Sequence, residues 1–325
     1  MNIIKSIFLC VASLLFISCG MNNKEVHFPT RSLTAEILPI KEIIAPLEII
    51  VNNNNLAVSC YQTDTLLYLY SIPELMCLGA GCIKGEGPED YPSDFLLMCN
   101  GSQDKLYTWD LRLYIREIGL DSTGMIIAKN KHRLNRFQDL NEIYIWQDSL
   151  LIYNDIHNLS IKKQSLADSR LIDEITFKKD NHKKQSYHSN RGKVIANDSV
   201  IVYPYVYKDQ IDIYDLHTFK LKKRIKGPGK TQIDSKNFGQ ENASLRYNIN
   251  AIAGKKYFYT TFVKKPDQDE MEKSLVIRAY DYDGNPQIEY TFDVFPARYA
   301  VDEQNGYIYG YNVEKGDYFL RYKIN

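Results

Sequence analysis

Short apolar runs alternate with polar turns along this chain, and one combination of the two recurs six times. A clear copy is Gly101-Ser102-Gln103-Asp104-Lys105-Leu106-Tyr107-Thr108-Trp109-Asp110: a tight polar turn, then a short strand alternating apolar and polar side chains. Other copies turn at Asn53, Asp148, Asp198, Gly254 and Asn305. They lead into Leu56-Ala57-Val58, Leu151-Ile152-Tyr153, Val200-Ile201-Val202, Phe258-Tyr259 and Tyr307-Ile308-Tyr309. With the turn at Gln103 included, the steps between centres are 50, 45, 50, 56 and 51 residues. A period of roughly 40–50 residues holding several strands is the mark of a β-propeller. Six repeats predict an all-β, six-bladed propeller over residues 33–325. The last repeat stops at residues 318–324, its third strand, while residues 34–44 form a strand candidate ahead of the first repeat. The expectation is that this N-terminal strand completes the last blade, which would hide two sheet edges at once.

The chain begins with a single lysine, Lys5, then an apolar run over residues 7–17 and Ser18-Cys19-Gly20. That run is shorter than the ~20 residues a bilayer-spanning helix needs, and it has the form of a signal-peptide core. Phe16-Ile17-Ser18-Cys19 resembles a lipobox, with Phe where Leu is usual. The resemblance implies a signal peptide at 1–18, a lipid on Cys19 and a lipidated tether at 19–32. Ordinary cleavage beside an incidental cysteine is the other reading. Lys24-Glu25 resembles the charged motif of some surface-exposed lipoproteins. The expected address is the cell envelope, lipid-anchored at the outer membrane, on either its periplasmic or its surface face.

Forty basic and forty acidic residues cancel. A nucleic-acid binder would normally be basic, so no nucleic-acid partner is expected. The 25 tyrosines suit a sheet protein. Beyond Cys10 and Cys19, the cysteines are Cys60, Cys77, Cys82 and Cys99. Cys77 and Cys82 either close a small disulfide loop or remain free core thiols.

The stretch after blade one reads Gly79-Ala80-Gly81-Cys82-Ile83-Lys84-Gly85-Glu86-Gly87-Pro88-Glu89-Asp90-Tyr91. This pattern resembles the linker of the TolB-like six-bladed propeller lipoproteins and is similar to the Gly-rich linker of NHL-repeat propellers. A shorter version, Gly227-Pro228-Gly229, follows blade four. Glycine is expected here to supply positive φ for a sharp turn back to the axis. No Gly-Lys-Ser/Thr follows to make a phosphate loop. Trp109-Asp110 lacks the Gly-His partner and the shorter period of a WD repeat.

Propeller ligands gather where the innermost strands begin. Counting back from each turn places Arg246 and Tyr247, Arg298 and Tyr299, and His188, Asn190 and Arg191 on one side of the channel mouth. Asp94 and Glu142 fall on the other. Repeated Arg-Tyr pairs suit a carboxylate, phosphate or sugar, because a guanidinium fork binds anions bidentately and a tyrosine stacks. Alternatively the arginines pair with the channel acids and with loop carbonyls. The six histidines show no metal spacing, and no Gly-x-Ser-x-Gly elbow is present. Neither a cofactor nor a metal is expected. The reading is a binding module for a small ligand or an envelope protein. The alternative is a channel-centred lactonase, lyase or hydrolase, for which Glu142, Asn190 and Asp94 would supply a calcium set.

Overall fold

The computed structural model describes residues 27–325 apart from 41, 43–45, 62, 92–94, 100–103, 111–113, 135–139, 156–158, 178–188, 230–244, 265–273 and 313–317. Two short strands come first, β1 (Thr30–Leu33) and β2 (Glu36–Pro39). Blade one is β3–β6: Pro46–Asn52, Asn55–Cys60, Thr65–Ser71 and Cys77–Ile83. Blade two is β7–β10: Leu96–Cys99, Leu106–Trp109, Tyr114–Leu120 and Ile126–Arg133. Blade three is β11–β14: Leu140–Trp146, Leu150–Asp155, Ser160–Ser165 and Leu171–Thr176. Blade four is β15–β18: Ile195–Ala196, Val200–Pro204, Gln210–Asp215 and Leu221–Lys226. Blade five is β19–β22: Asn248–Ala253, Tyr257–Val263, Leu275–Asp281 and Pro286–Phe292. Blade six opens with β23–β25: Arg298–Asp302, Tyr307–Tyr311 and Tyr318–Lys323.

The propeller closes as expected: β2 pairs antiparallel with β25 and becomes the fourth strand of blade six. A further strand was not foreseen. β1 starts at Thr30, inside the stretch read as tether, and lies parallel to β22 as a fifth strand of blade five. Packing, more than charge, holds these strands. Leu33 is 4 % exposed between blades five and six, so truncating it would cost roughly 2–5 kcal/mol. The two-pronged Arg321–Glu36 pair at 2.8 and 2.9 Å has a half-exposed carboxylate, and such a pair contributes at most about 1 kcal/mol.

The core is divided into six layers, one between each neighbouring pair of blades. Each blade therefore buries both faces. This corrects the expected alternation in the second strands: Leu151, Ile152 and Tyr153 in β12, and Ile201, Val202 and Tyr203 in β16, are all fully buried. Such strands need apolar side chains at every position. The recurring turns join first and second strands, and positive φ falls at Asn53, Gln147, Asp148 and Gly306.

The linker glycines have a different cause from the one expected. Gly79 and Gly81 lie within β6, and neither they nor Gly85 and Gly87 take positive φ. A Cβ at Gly79 would stand 2.3 Å from the Gly124 carbonyl of blade two, and one at Gly81 would stand 2.7 Å from Ile126. Close approach of two outer strands sets this requirement. Gly85 and Gly87 wrap the Asp90 carboxylate, which accepts from the Gly87 N–H at 2.9 Å. Gly227 and Gly229 wrap Asp209 in the same way, with Gly229 donating at 2.9 Å.

Charges face each other across the third and fourth strands of four blades. The opposed pairs are Lys162 and Glu174, Asp212 and Arg224, Arg278 and Glu289, and Arg321 and Glu36. Blade two sets Arg116 opposite Lys131 instead. There the guanidinium turns inward, 3.1 Å from the Asp110 carboxylate and 4.0 Å above the Tyr91 ring.

Cys77 and Cys82 lie five residues apart along the single strand β6, roughly 16 Å at ~3.3 Å per residue. That is too far for a disulfide, and both thiols are free. Burial pushes the thiols of Cys60, Cys82 and Cys99 up to about 12, whereas Cys77 is exposed. Thiol titration of the folded chain from Gly20 onward should show one fast-reacting cysteine, lost in Cys77→Ser, with the other three reacting only on unfolding.

Glu289 gives a pH signature. Burial pushes its carboxyl up, but hydrogen bonds from Lys264 and Arg278 outweigh this and hold it below its ordinary value. Its contribution is therefore complete above the unfolded carboxyl pKa of ~4.3 and lost as pH falls through the lower folded value. Glu289→Gln should cost roughly 3 kcal/mol at neutral pH, by removing the carboxylate that Lys264 and Arg278 share. The Tm gap to the wild type should close below pH ~4, as read by melting curves across pH.

Candidate functional site

The innermost strands β3, β7, β11, β15, β19 and β23 surround the propeller axis. Each pairs with one neighbouring strand only, so its other edge faces the channel. Between these edges lies a cavity of about 680 Å³, reached by residues from all six blades. That is the size of a small-ligand site.

The wall is largely aliphatic. Leu47, Ile50, Leu96, Ile143, Ile195 and Ile249 are half-buried and line it. They come from strands whose alternate residues pack between blades, so one strand serves both the core and the channel. A β-bulge at the start of β3, between Pro46 and Glu48, and another at the start of β19, between Asn248 and Asn250, break the regular pairing there. The unpaired residues Leu47 and Ile249 line the cavity, as do Glu48 and Asn250, which resume the register. Glu48 accepts the Leu97 N–H at 2.5 Å, so its carboxylate caps an inner-edge donor of the neighbouring blade. Lys193 and Arg298 add two cations to the wall. Arg298 is exposed, and its guanidinium donates to the Ala297 carbonyl at 3.4 Å.

The residues expected at the mouth separate into three groups. Arg298 and Tyr299 line the cavity. Tyr299 is buried, however, and its hydroxyl shares a 2.9 Å hydrogen bond with Thr261, so it positions the wall and offers no stacking face. Arg191 and Arg246 are exposed on adjoining loops of blades four and five. Val206 bridges those loops by donating to the Arg191 carbonyl and accepting from the Tyr247 N–H. Tyr247 itself is buried against Phe262 and Val276, which removes it from the surface. Asn190 is buried, and its carbonyl accepts the Tyr203 hydroxyl at 2.6 Å. His188, Asp94 and Cys19 lie outside the described residues, and Glu142 falls in β11 with its side chain outside them. Two members of the conceivable calcium set, Asp94 and Glu142, thus have no described side chain. Among the described residues no three His, Cys, Asp or Glu side chains gather as a metal site.

Sequence reasoning missed Glu48, Lys193 and the apolar lining itself. The aliphatic runs Leu47–Val51 and Leu96-Leu97-Met98 were visible, but runs of this kind read equally well as core.

A family model described as TolB-like 6-blade propeller-like matches residues 27–304. Comparison with curated protein sequences returns no match. Among solved structures, the crystal structure of Chaetomium thermophilum Raptor is similar, with a TM-score of 0.50 and 12 % identity. The similarity covers 92 % of this chain and 29 % of that one, so this chain spans less than a third of that chain's length. At such identity the likeness is one of fold.

Proposed function

The chain belongs to the TolB-like six-blade propeller family, and on that premise we propose that it is a lipid-anchored envelope module that binds a ligand along its axis. The observation that carries the reading is the axial cavity of about 680 Å³, aliphatic on its wall, with Arg298 and Lys193 among its lining residues. Aliphatic side chains gain by excluding water against an apolar body, at ~25 cal/mol per Å² covered. A cation at an apolar wall favours a ligand that brings its own negative charge. The ligand class is therefore an amphipathic anion, an acyl carboxylate or an apolar peptide ending in a carboxylate. The exposed Arg191 and Arg246 add positive charge on the neighbouring loops. The lipid anchor rests on the lipobox-like Phe16-Ile17-Ser18-Cys19.

The binding test is a thermal-shift series on the chain starting at Gly20, with dodecanoate, its uncharged alcohol, inorganic phosphate and calcium chloride as probes. A ligand of the folded state raises Tm according to RT ln(1+[L]/Kd). Dodecanoate should raise Tm most, and Arg298→Ala should remove most of the rise. A shift with phosphate alone or calcium alone would defeat the amphipathic reading. For the anchor, Cys19→Ala should release the protein from membranes and remove the mass of the lipid. Retention at an unchanged mass would refute the lipoprotein assignment.

A further inference from the structure

The outer strand of blade four carries Lys220-Leu221-Lys222-Lys223-Arg224-Ile225-Lys226, five cations in seven residues. All of these except Ile225 are exposed. Two of the cations are occupied: Arg224 is forked onto Asp212 at 2.7 and 2.8 Å, and Lys223 donates to the Asp283 carbonyl and to Asn285. The Asp215 carboxylate lies near Lys222. Among the described residues, Lys220, Lys222 and Lys226 form no ion pair within 4 Å. Leu221 between them is 47 % exposed. An outer strand needs some charge to resist pairing with other chains, but one or two residues suffice. β14, for comparison, carries Asp173 and Glu174 and no lysine.

A second observation fixes where this strand lies relative to the start of the chain. Phe28 is buried in the layer between blades four and five, against Val200, Ile213 and Tyr280. Ile225 of the basic strand packs against that same layer. The Arg278 guanidinium sits 4.8 Å above the Phe28 ring, and Pro29 accepts the Glu289 N–H at 2.8 Å. The N-terminal segment is thereby fastened to the rim beside β18. Eight residues lie between Cys19 and Phe28, nine Cα steps or at most about 30 Å of extended chain. A lipid on Cys19 would hold the rim of blades four and five within that length of the bilayer.

We infer that β18 docks on anionic lipid headgroups, so that the propeller rests on the membrane by the outer edge of blade four. This rests on the lipoprotein reading for its geometry. The chemistry is that of two weak signals acting together, an acyl anchor and a basic surface. Electrostatic attraction to headgroups decays within a Debye length of ~8–10 Å, so it acts only on a surface brought that close. The tether keeps this strand near enough to reach that layer. Leu221 then meets the headgroup boundary, where an apolar side chain flanked by lysines is stable.

The experiment uses the unlipidated chain from Gly20, which retains every strand of the propeller, β1 to β25. Its binding to vesicles of mixed phosphatidylglycerol and phosphatidylcholine is measured by co-sedimentation at low and physiological salt. Phosphatidylcholine vesicles serve as the neutral control. Binding should require the anionic lipid and weaken with salt. Lys220→Gln/Lys222→Gln/Lys226→Gln should reduce it on the order of 100-fold. A matched variant on blade two, Lys129→Gln/Lys131→Gln/Arg133→Gln, should leave it unchanged, with melting curves verifying that both variants are folded. Equal loss in the two variants would mean charge without orientation and would overturn the inference, as would absence of binding to the anionic vesicles. No lipid is attached in this assay, so its failure is separate from failure of the Cys19 assignment, which membrane release and mass decide.

Discussion

Two-sided burial of every blade is the constraint on which this structure depends. A four-stranded sheet with both faces apolar cannot exist alone in water, and each of the six layers needs two blades to complete it. The second strands feel this most, with Leu56, Leu151, Ile201, Phe258 and Ile308 at zero exposure. A ring satisfies the requirement only when it closes. Closure here joins Glu36 to Arg321 across 285 residues, and Thr30 to the register of Glu289. Contacts of such separation carry a loop entropy that must be met before packing rewards it, which favours slow assembly of the last interface.

Polar groups are arranged around that constraint. Where the sheets widen toward solvent, the third and fourth strands of four blades set opposite charges face to face. Carboxylates that turn inward receive backbone N–H groups: Asp90 from Gly87, Asp209 from Gly229 and Glu48 from Leu97. Burial pushes the Asp209 carboxyl up, and the Gly229 N–H and the Arg278 charge act against it. The glycines of these loops are small because a carboxylate occupies the space where a side chain would stand.

The channel follows from the same arrangement. Each inner strand has only one paired edge, and its side chains lean into the spaces beside it, so apolar residues chosen for the layers also surface at the axis. The cavity thus combines apolar side chains with the charged Glu48, Lys193 and Arg298. The blade rim has a different character. There the side chains are free to vary, and β6, β14 and β18 differ widely in charge while holding equivalent places in their sheets.

Much of this protein was legible in its residues because a propeller is a local repeat. The turn between first and second strands favours Asn, Asp or Gly, and it takes positive φ at Asn53, Asp148 and Gly306 in blades one, three and six. The spacing of the six polar turns alone determined the blade number, and the unmatched strands at the two chain ends determined the closure by β2. The tertiary structure decided what depends on neighbours distant in sequence. Tyr247 and Tyr299 count to the channel mouth but are buried, because a tyrosine beside an inner strand gains more from packing between blades than from facing water. The parallel strand β1 has no local signal, since Thr30-Arg31-Ser32-Leu33 becomes a strand only against the edge of β22. Gly79 and Gly81 are explained by the carbonyl of Gly124 and by Ile126, some forty-five residues away. A backbone turn is written in the two or three residues that make it, whereas a close approach is written in two separate stretches whose meeting only the folded ring supplies.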